Sequence, residues 1–225
     1  MCALSKFVIA QDVSQLNQIS VVGVGEIERE PDQAVLRIGI SAKGLTLIEA
    51  KKIADQHYKK ALDIISAANI DDKFIKATRI NSQPQYDYSS SARKYTGEVI
   101  SRSLSITIND LDDLSPLMQA LVEGGVSTID GVVTGFQDKQ GLQRQALALA
   151  AKDAEQKAIF LAKQLNREAG EAIFISQQNV SNSISQPHPR LDSFSRSANL
   201  SKEAPVEMFG TQKIAATLNV VFGLK

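Results

Sequence analysis

The chain predicts an α+β fold of two similar β-α-β-β units, with antiparallel sheets backed by long helices. Three observations predict it. Apolar residues alternate with polar ones at Leu36, Ile38 and Ile40, at Leu104, Ile106 and Ile108, and from Ile214 to Phe222. That period of two gives a strand one buried face. Two long stretches instead repeat at three and four residues, from Ala50 to Ala68 and from Leu142 to Leu165, the pattern of helices resting on a sheet. The order of elements then recurs: strand, helix and strand hairpin run from Asp32 to Asn109 and return from Thr128 to Phe222. Residue identity between the halves is weak, so the suggested duplication (32–109 and 128–222) is one of architecture.

The elements follow in order. Residues 1–18 read as a leader remnant or a flexible arm: Phe7-Val8-Ile9-Ala10 is apolar and Val8 and Ala10 suit a signal peptidase, yet ten residues do not hold a complete signal peptide. The domain proper spans 19–225. Ile19 to Glu28 is a strand whose Gly23 and Gly25 predict a bulge or a close approach of backbones. Glu30-Pro31-Asp32 turns into the second strand. Thr46 and Glu49 form a capping box at the start of the first helix, with Asn69 as its stop. Phe74 to Gln83 and Glu98 to Asn109 form a hairpin. A short helix with Leu114, Leu117, Met118 and Leu121 inward ends at Gly124-Gly125. Thr128 to Phe136 is a strand, and Asp138 caps the longest helix, which runs to about Glu168 before Gly170. Its predicted buried face is Leu142, Ala146, Leu149, Ala150, Ala154, Ala158, Leu161 and Leu165. Ala172 to Ser185 and Ile214 to Phe222 are the closing strands, separated by a Ser-, Pro- and Asn-rich excursion over 186–205 with no periodicity.

Composition narrows the function. Hydrophobic residues at 43% suffice for a core, and no run approaches the roughly 20 apolar residues of a spanning helix. Lys plus Arg and Asp plus Glu are 25 each, so the overall charge draws neither nucleic acid nor anionic membrane. Arg37, Arg79, Lys94 and Arg102 lie on different elements without interleaved aromatics, which leaves nucleic-acid binding unsupported. The single cysteine, Cys2, excludes an intrachain disulfide and a Cys-based zinc site.

Candidate chemistry is sparse. Gly23-Val24-Gly25 precedes more strand, not the helix opening that a dinucleotide site needs. His57 and His188 have no metal-ligating partners at ligand spacing, and no GxSxG elbow occurs. Asp110, Asp112 and Asp113 suit hard cations in type, but helix capping accounts for them. The reading is therefore no catalytic residue, no cofactor and no metal. Tyr86 and Tyr88 alternate on one strand, share a face, and offer a possible interface anchor.

Several segments together resemble the SIMPL-domain family. Ile19-Ser20-Val21-Val22-Gly23-Val24-Gly25-Glu26 with Pro31-Asp32 resembles its opening, Pro84-Gln85-Tyr86-Asp87-Tyr88 its Pro-Gln-Tyr segment, and Leu104 to Asp112 its strand and Asp-Leu-Asp turn. The Ala-rich helix with Ala146-Leu147-Ala148, Ala154 and Lys157-Ala158 resembles the corresponding helix. The resemblance implies a periplasmic or secreted cell-envelope protein, assembly into large homo-oligomers, a link to oxidative-stress defence and no established catalytic residues. It also favours reading the N-terminal residues as a signal-peptide stump. Two other functions stay open on the residues alone: a module binding a small ligand or cation, and an uncharacterised enzyme.

Overall fold

The structure is a computed structural model and describes residues 17–89, 93–178 and 209–225. The fold is α+β, with seven strands in two antiparallel sheets. The strands are β1 (Gln18–Arg29), β2 (Gln33–Gly44), β3 (Ile75–Asp87), β4 (Lys94–Ile108), β5 (Thr128–Gly135), β6 (Ala169–Gln178) and β7 (Gln212–Leu224). The helices are α1 (Leu47–Ala67), α2 (Leu114–Glu123) and α3 (Lys139–Gln164). Cys2, His188 and the 186–205 excursion lie outside the described residues.

The chain forms two compact units. One holds residues 30–137 with Phe209, around a sheet of order β3-β4-β2-β5. Its core is the even face of β2 and β4, where Leu36, Ile38, Leu104 and Ile106 are buried under Ala61 and Ile65 of α1 and Leu114, Leu117 and Leu121 of α2. The alternation read from the sequence is the cause, because successive strand residues point to opposite faces. The α1 N-terminus is closed as the capping box predicts: Glu49 N donates to Thr46 Oγ1 at 3.2 Å. The return bond comes from Leu45 N to Glu49 Oε2 at 2.9 Å, one residue before the cap. Asn69 takes a φ of 57° and ends the helix, a conformation Asn tolerates better than most residues.

The other unit is a three-stranded sheet, β1-β7-β6, with α3 laid across β1 and β7. The β1–β7 register is continuous from Gln18↔Gly223 to Arg29↔Gln212, so Gly23 and Gly25 mark no bulge. They mark a close approach. A Cβ on Gly23 would stand 2.0 Å from the Ala150 carbonyl oxygen, and one on Gly25 would stand 2.0 Å from that of Ala146. The helix presents only small residues there. Ala146, Ala150, Ala154, Ala158 and Ala162 are fully buried at a strict spacing of four.

Two expectations for α3 need correction. It ends at Gln164, not near Glu168, because Asn166 takes a φ of 56° and turns the chain before Gly170 is reached. Leu149, Leu161 and Leu165, expected inside, are 46%, 42% and 70% exposed. The glycine-lined strand admits an alanine ridge and has no room for leucines, so the larger chains face outward. β5 also departs from the order of elements: it pairs with β2 in the four-stranded sheet, while β1 takes the place beside β7.

Candidate functional site

Three surfaces carry most of the unusual chemistry. The first is the tip of the β3–β4 hairpin. Tyr86 and Tyr95 lie opposite each other in the ladder, and their rings meet edge to face at 5.8 Å and 73°. Arg93 places its guanidinium 3.6 Å from the Tyr86 ring centroid and 5.9 Å from that of Tyr88. Cations are drawn to ring faces in this way. The Tyr95 hydroxyl bonds Leu45 O at 3.3 Å and Glu98 Oε1 at 3.1 Å; burial and then the Glu98 carboxylate raise its pKa. Ser89 N donates to Asp87 Oδ1 at 2.8 Å, and that bond holds the Asp87 carboxyl below its usual range. Three of the chain's four tyrosines thus gather at one tip. The predicted pair, Tyr86 and Tyr88, is there; Arg93 and Tyr95 join it through the hairpin register, which residue spacing does not reveal.

The second surface is the three-stranded sheet. Its two edges differ. Along β1, α3 side chains occupy backbone groups that face away from β7: Val24 N donates to Asp153 Oδ2 at 2.8 Å, and Lys157 Nζ donates to Val22 O at 2.9 Å and to Asp153 at 2.6 Å. The Lys157 bond, with that from Val24, lowers the Asp153 pKa. Along β6 the only pairing partner among the described residues is β7, and Ile173, Phe174 and Ile175 are 62%, 58% and 62% exposed. Ile175 pairs with Val220, on the α3 side, and Phe174 with Val221, on the opposite side, so β6 shows apolar chains on both faces.

The third surface is the face of the four-stranded sheet away from α1 and α2. Arg37 and Arg79, far apart in sequence, lie here beside the hydroxyls of Ser103 and Ser105. Arg102 does not. It points to the helix side, joins Asp55 in an ion pair, and sits 5.1 Å from the Tyr58 ring centroid. Lys51, through its hydrogen bond, and then Arg102 hold the Asp55 pKa down against the cost of burial. Lys94 is at the hairpin end.

The remaining candidates stay apart. His57 is exposed on α1. Asp110 Oδ1 accepts from Asp112 N at 3.1 Å, the capping role read for it. Asp138 caps α3 by accepting from Gly141 N at 2.8 Å. Among the described residues no helix is long and apolar enough to cross a membrane.

The sequence that folds in this way has relatives among known proteins. The chain belongs to the SIMPL family, described as a protein of unknown function (DUF541), which it matches over residues 19–222. It is similar to the uncharacterized protein YggE of Escherichia coli K12, with 26% identity over 208 residues, covering 90% of this chain and 81% of that one. It is also similar to the 26 kDa periplasmic immunogenic protein of Brucella melitensis, with 26% identity over 172 residues, covering 74% of this chain and 69% of the relative.

Proposed function

We propose that this chain is a non-catalytic protein of the cell envelope, periplasmic or secreted, that assembles with copies of itself. The observation that carries the assembly is β6. Among the described residues it is an edge strand whose backbone pairs on one side only, and it exposes three consecutive large apolar residues, Ile173, Phe174 and Ile175. An open apolar edge of this kind recruits another strand unless it is blunted by charge, proline or cover. Burying one such side chain stabilises a contact by about 1.5–3 kcal/mol. A second copy supplies both the strand partner and the apolar cover. The tyrosine tip of the other unit offers a separate rigid, amphipathic anchor for a partner.

The location is supported by the relative from Brucella melitensis, which is named as periplasmic. A part in oxidative-stress defence would be indirect, since one cysteine offers no resolving partner for renewable thiol chemistry. Light scattering over micromolar concentrations tests the assembly. The expected mass is a multiple of 24.4 kDa, reduced by Phe174→Lys. A wild-type mass of one chain throughout that range refutes the proposal.

A further inference from the structure

We infer that the uncovered face of the four-stranded sheet is a track for a linear phosphate-bearing polymer, a function beyond self-assembly. The geometry points to it rung by rung. Arg37 on β2 pairs with Ser105 on β4, and Ser105 pairs with Lys76 on β3. The next rung on this face runs from Gly39 through Ser103 to Arg79. Directly paired residues share a face, and the opposite face of β2 and β4 is the buried one. Lys43 continues the β2 side two rungs further on.

A row of serine hydroxyls on β4 is therefore flanked by cations on both neighbouring strands. Strands lie about 4.8 Å apart, so the two cation rows stand roughly 10 Å from each other with the hydroxyls between them. The side chains of Arg37, Lys43, Lys76 and Arg79 make no hydrogen bond or ion pair with another described residue. Asp130, the carboxylate on this face, lies on β5, and its oxygens stand 3.5 Å from the Cβ position of Gly39, so it offsets part of the charge at the β2 end of that rung. The four cations outnumber this one carboxylate, and a bound anion balances the remainder.

The arrangement selects the occupant. Cations in two rows suit a chain lying along β4 better than a plane of headgroups, which would meet evenly spread charge. Guanidinium and ammonium groups beside hydroxyl donors match phosphate oxygens. The described track residues include no aromatic ring to stack a base or a sugar, which turns the fit away from nucleic acid.

The probe is inorganic polyphosphate, titrated into the full chain by fluorescence anisotropy or calorimetry. Binding is expected at 50 mM salt. Four cations releasing counterions give a log–log salt slope near −3, or roughly 50-fold weaker binding at 200 mM. The double variant Arg37→Ala/Arg79→Ala is expected to bind at least tenfold more weakly. Lys59→Ala/Lys60→Ala removes equal charge from exposed positions of α1, on the other side of the sheet, and is expected to bind as the wild type does. Absence of binding at 50 mM salt overturns the inference, as does equal weakening in both variants or tighter binding to anionic lipid vesicles. So does a changed mass of the Arg37→Ala/Arg79→Ala protein without ligand, because the face would then join copies of the chain. The binding outcomes do not bear on β6, which Phe174→Lys tests separately.

Discussion

Gly23→Ala places the smallest possible side chain where the backbones of β1 and α3 meet most closely. The new Cβ would lie 2.0 Å from the Ala150 carbonyl oxygen, 2.7 Å from Ala154 Cβ and 2.9 Å from Ala154 N. Two of these atoms are helix backbone and have no rotamer to move to. Strand and helix must part locally by more than an ångström, and the alanine ridge then loses contact with β1. Overpacking of this kind costs about 1–3 kcal/mol, and the rigidity of both partners places this case near 3 kcal/mol. For a chain of 225 residues each kcal/mol moves Tm by about 2–4 °C, so the expected fall is about 6–12 °C. Calorimetry or circular dichroism measures it. Gly135→Ala is the control, since nothing lies within 4 Å of its Cβ position, and it is expected to stay within about 0.5 kcal/mol of the wild type. Removing the Ala154 methyl does not rescue Gly23→Ala, because the Ala150 oxygen remains. A Gly23→Ala protein that melts within about 2 °C of the wild type refutes the close-approach argument.

Three further outcomes are expected. Asp138→Ala removes the α3 cap and costs about 1 kcal/mol in chemical denaturation; Gly141→Ala, whose Cβ would stand 1.9 Å from the Asp138 carboxylate, displaces the same cap, so the two losses add to less than their sum. The lowered Asp153 pKa means that its contribution is present above the unfolded carboxylate value, about pH 4, and fades as pH falls through the lower folded value. Asp153→Asn should therefore flatten the fall in Tm below about pH 4, while an unchanged acid limb rejects the assignment. Glu98→Gln removes the carboxylate that, after burial, raises the Tyr95 pKa, so its phenol is expected to ionise at lower pH than in the wild type, as read by ultraviolet difference absorbance against Tyr95→Phe.

The parts of the fold legible in the sequence were those governed by local periodicity. Leu36, Ile38, Leu104 and Ile106 alternate and are buried as alternation requires, and the caps at Thr46 and Asp138 follow from hydrogen-bond chemistry within four residues. On α3, Leu142, Ala146, Ala150, Ala154 and Ala158 are buried as their spacing predicts, but Leu149, Leu161 and Leu165 are exposed, since apolar size does not by itself mean burial. A better signal was present: Ala146 to Ala162 at steps of four, combined with two glycines on one face of β1, describe backbones in contact. Pairing register was not legible. Arg93 reaches Tyr86 only once the hairpin closes, and Arg37 reaches the row shared with Arg79 only once β4 lies between their strands. Such groupings depend on which strands meet, and single-sequence spacing does not encode that.

The two edges of the three-stranded sheet bear on what the open one is for. Nothing in strand chemistry makes β1 more prone to recruit a partner than β6. β1 carries Gly23 and Gly25 in its middle, whereas β6 carries Ile173, Phe174 and Ile175, which have far higher strand propensity. Yet it is β1 whose outer backbone is held by the Asp153 and Lys157 side chains. Were protection from stray pairing the only requirement, the stronger strand former would be the one to receive it. A charged clasp on the weak edge and bare apolar chains on the strong one together leave a single direction in which another strand can add. An edge contact made by one surface and received by a different one generates a ring or a filament, whereas one made and received by the same edge closes a pair. With two outward-facing β1 groups bonded by α3, β6 against β6 is the pairing the described residues of this sheet favour, and the proposed assembly would then start from a two-fold contact.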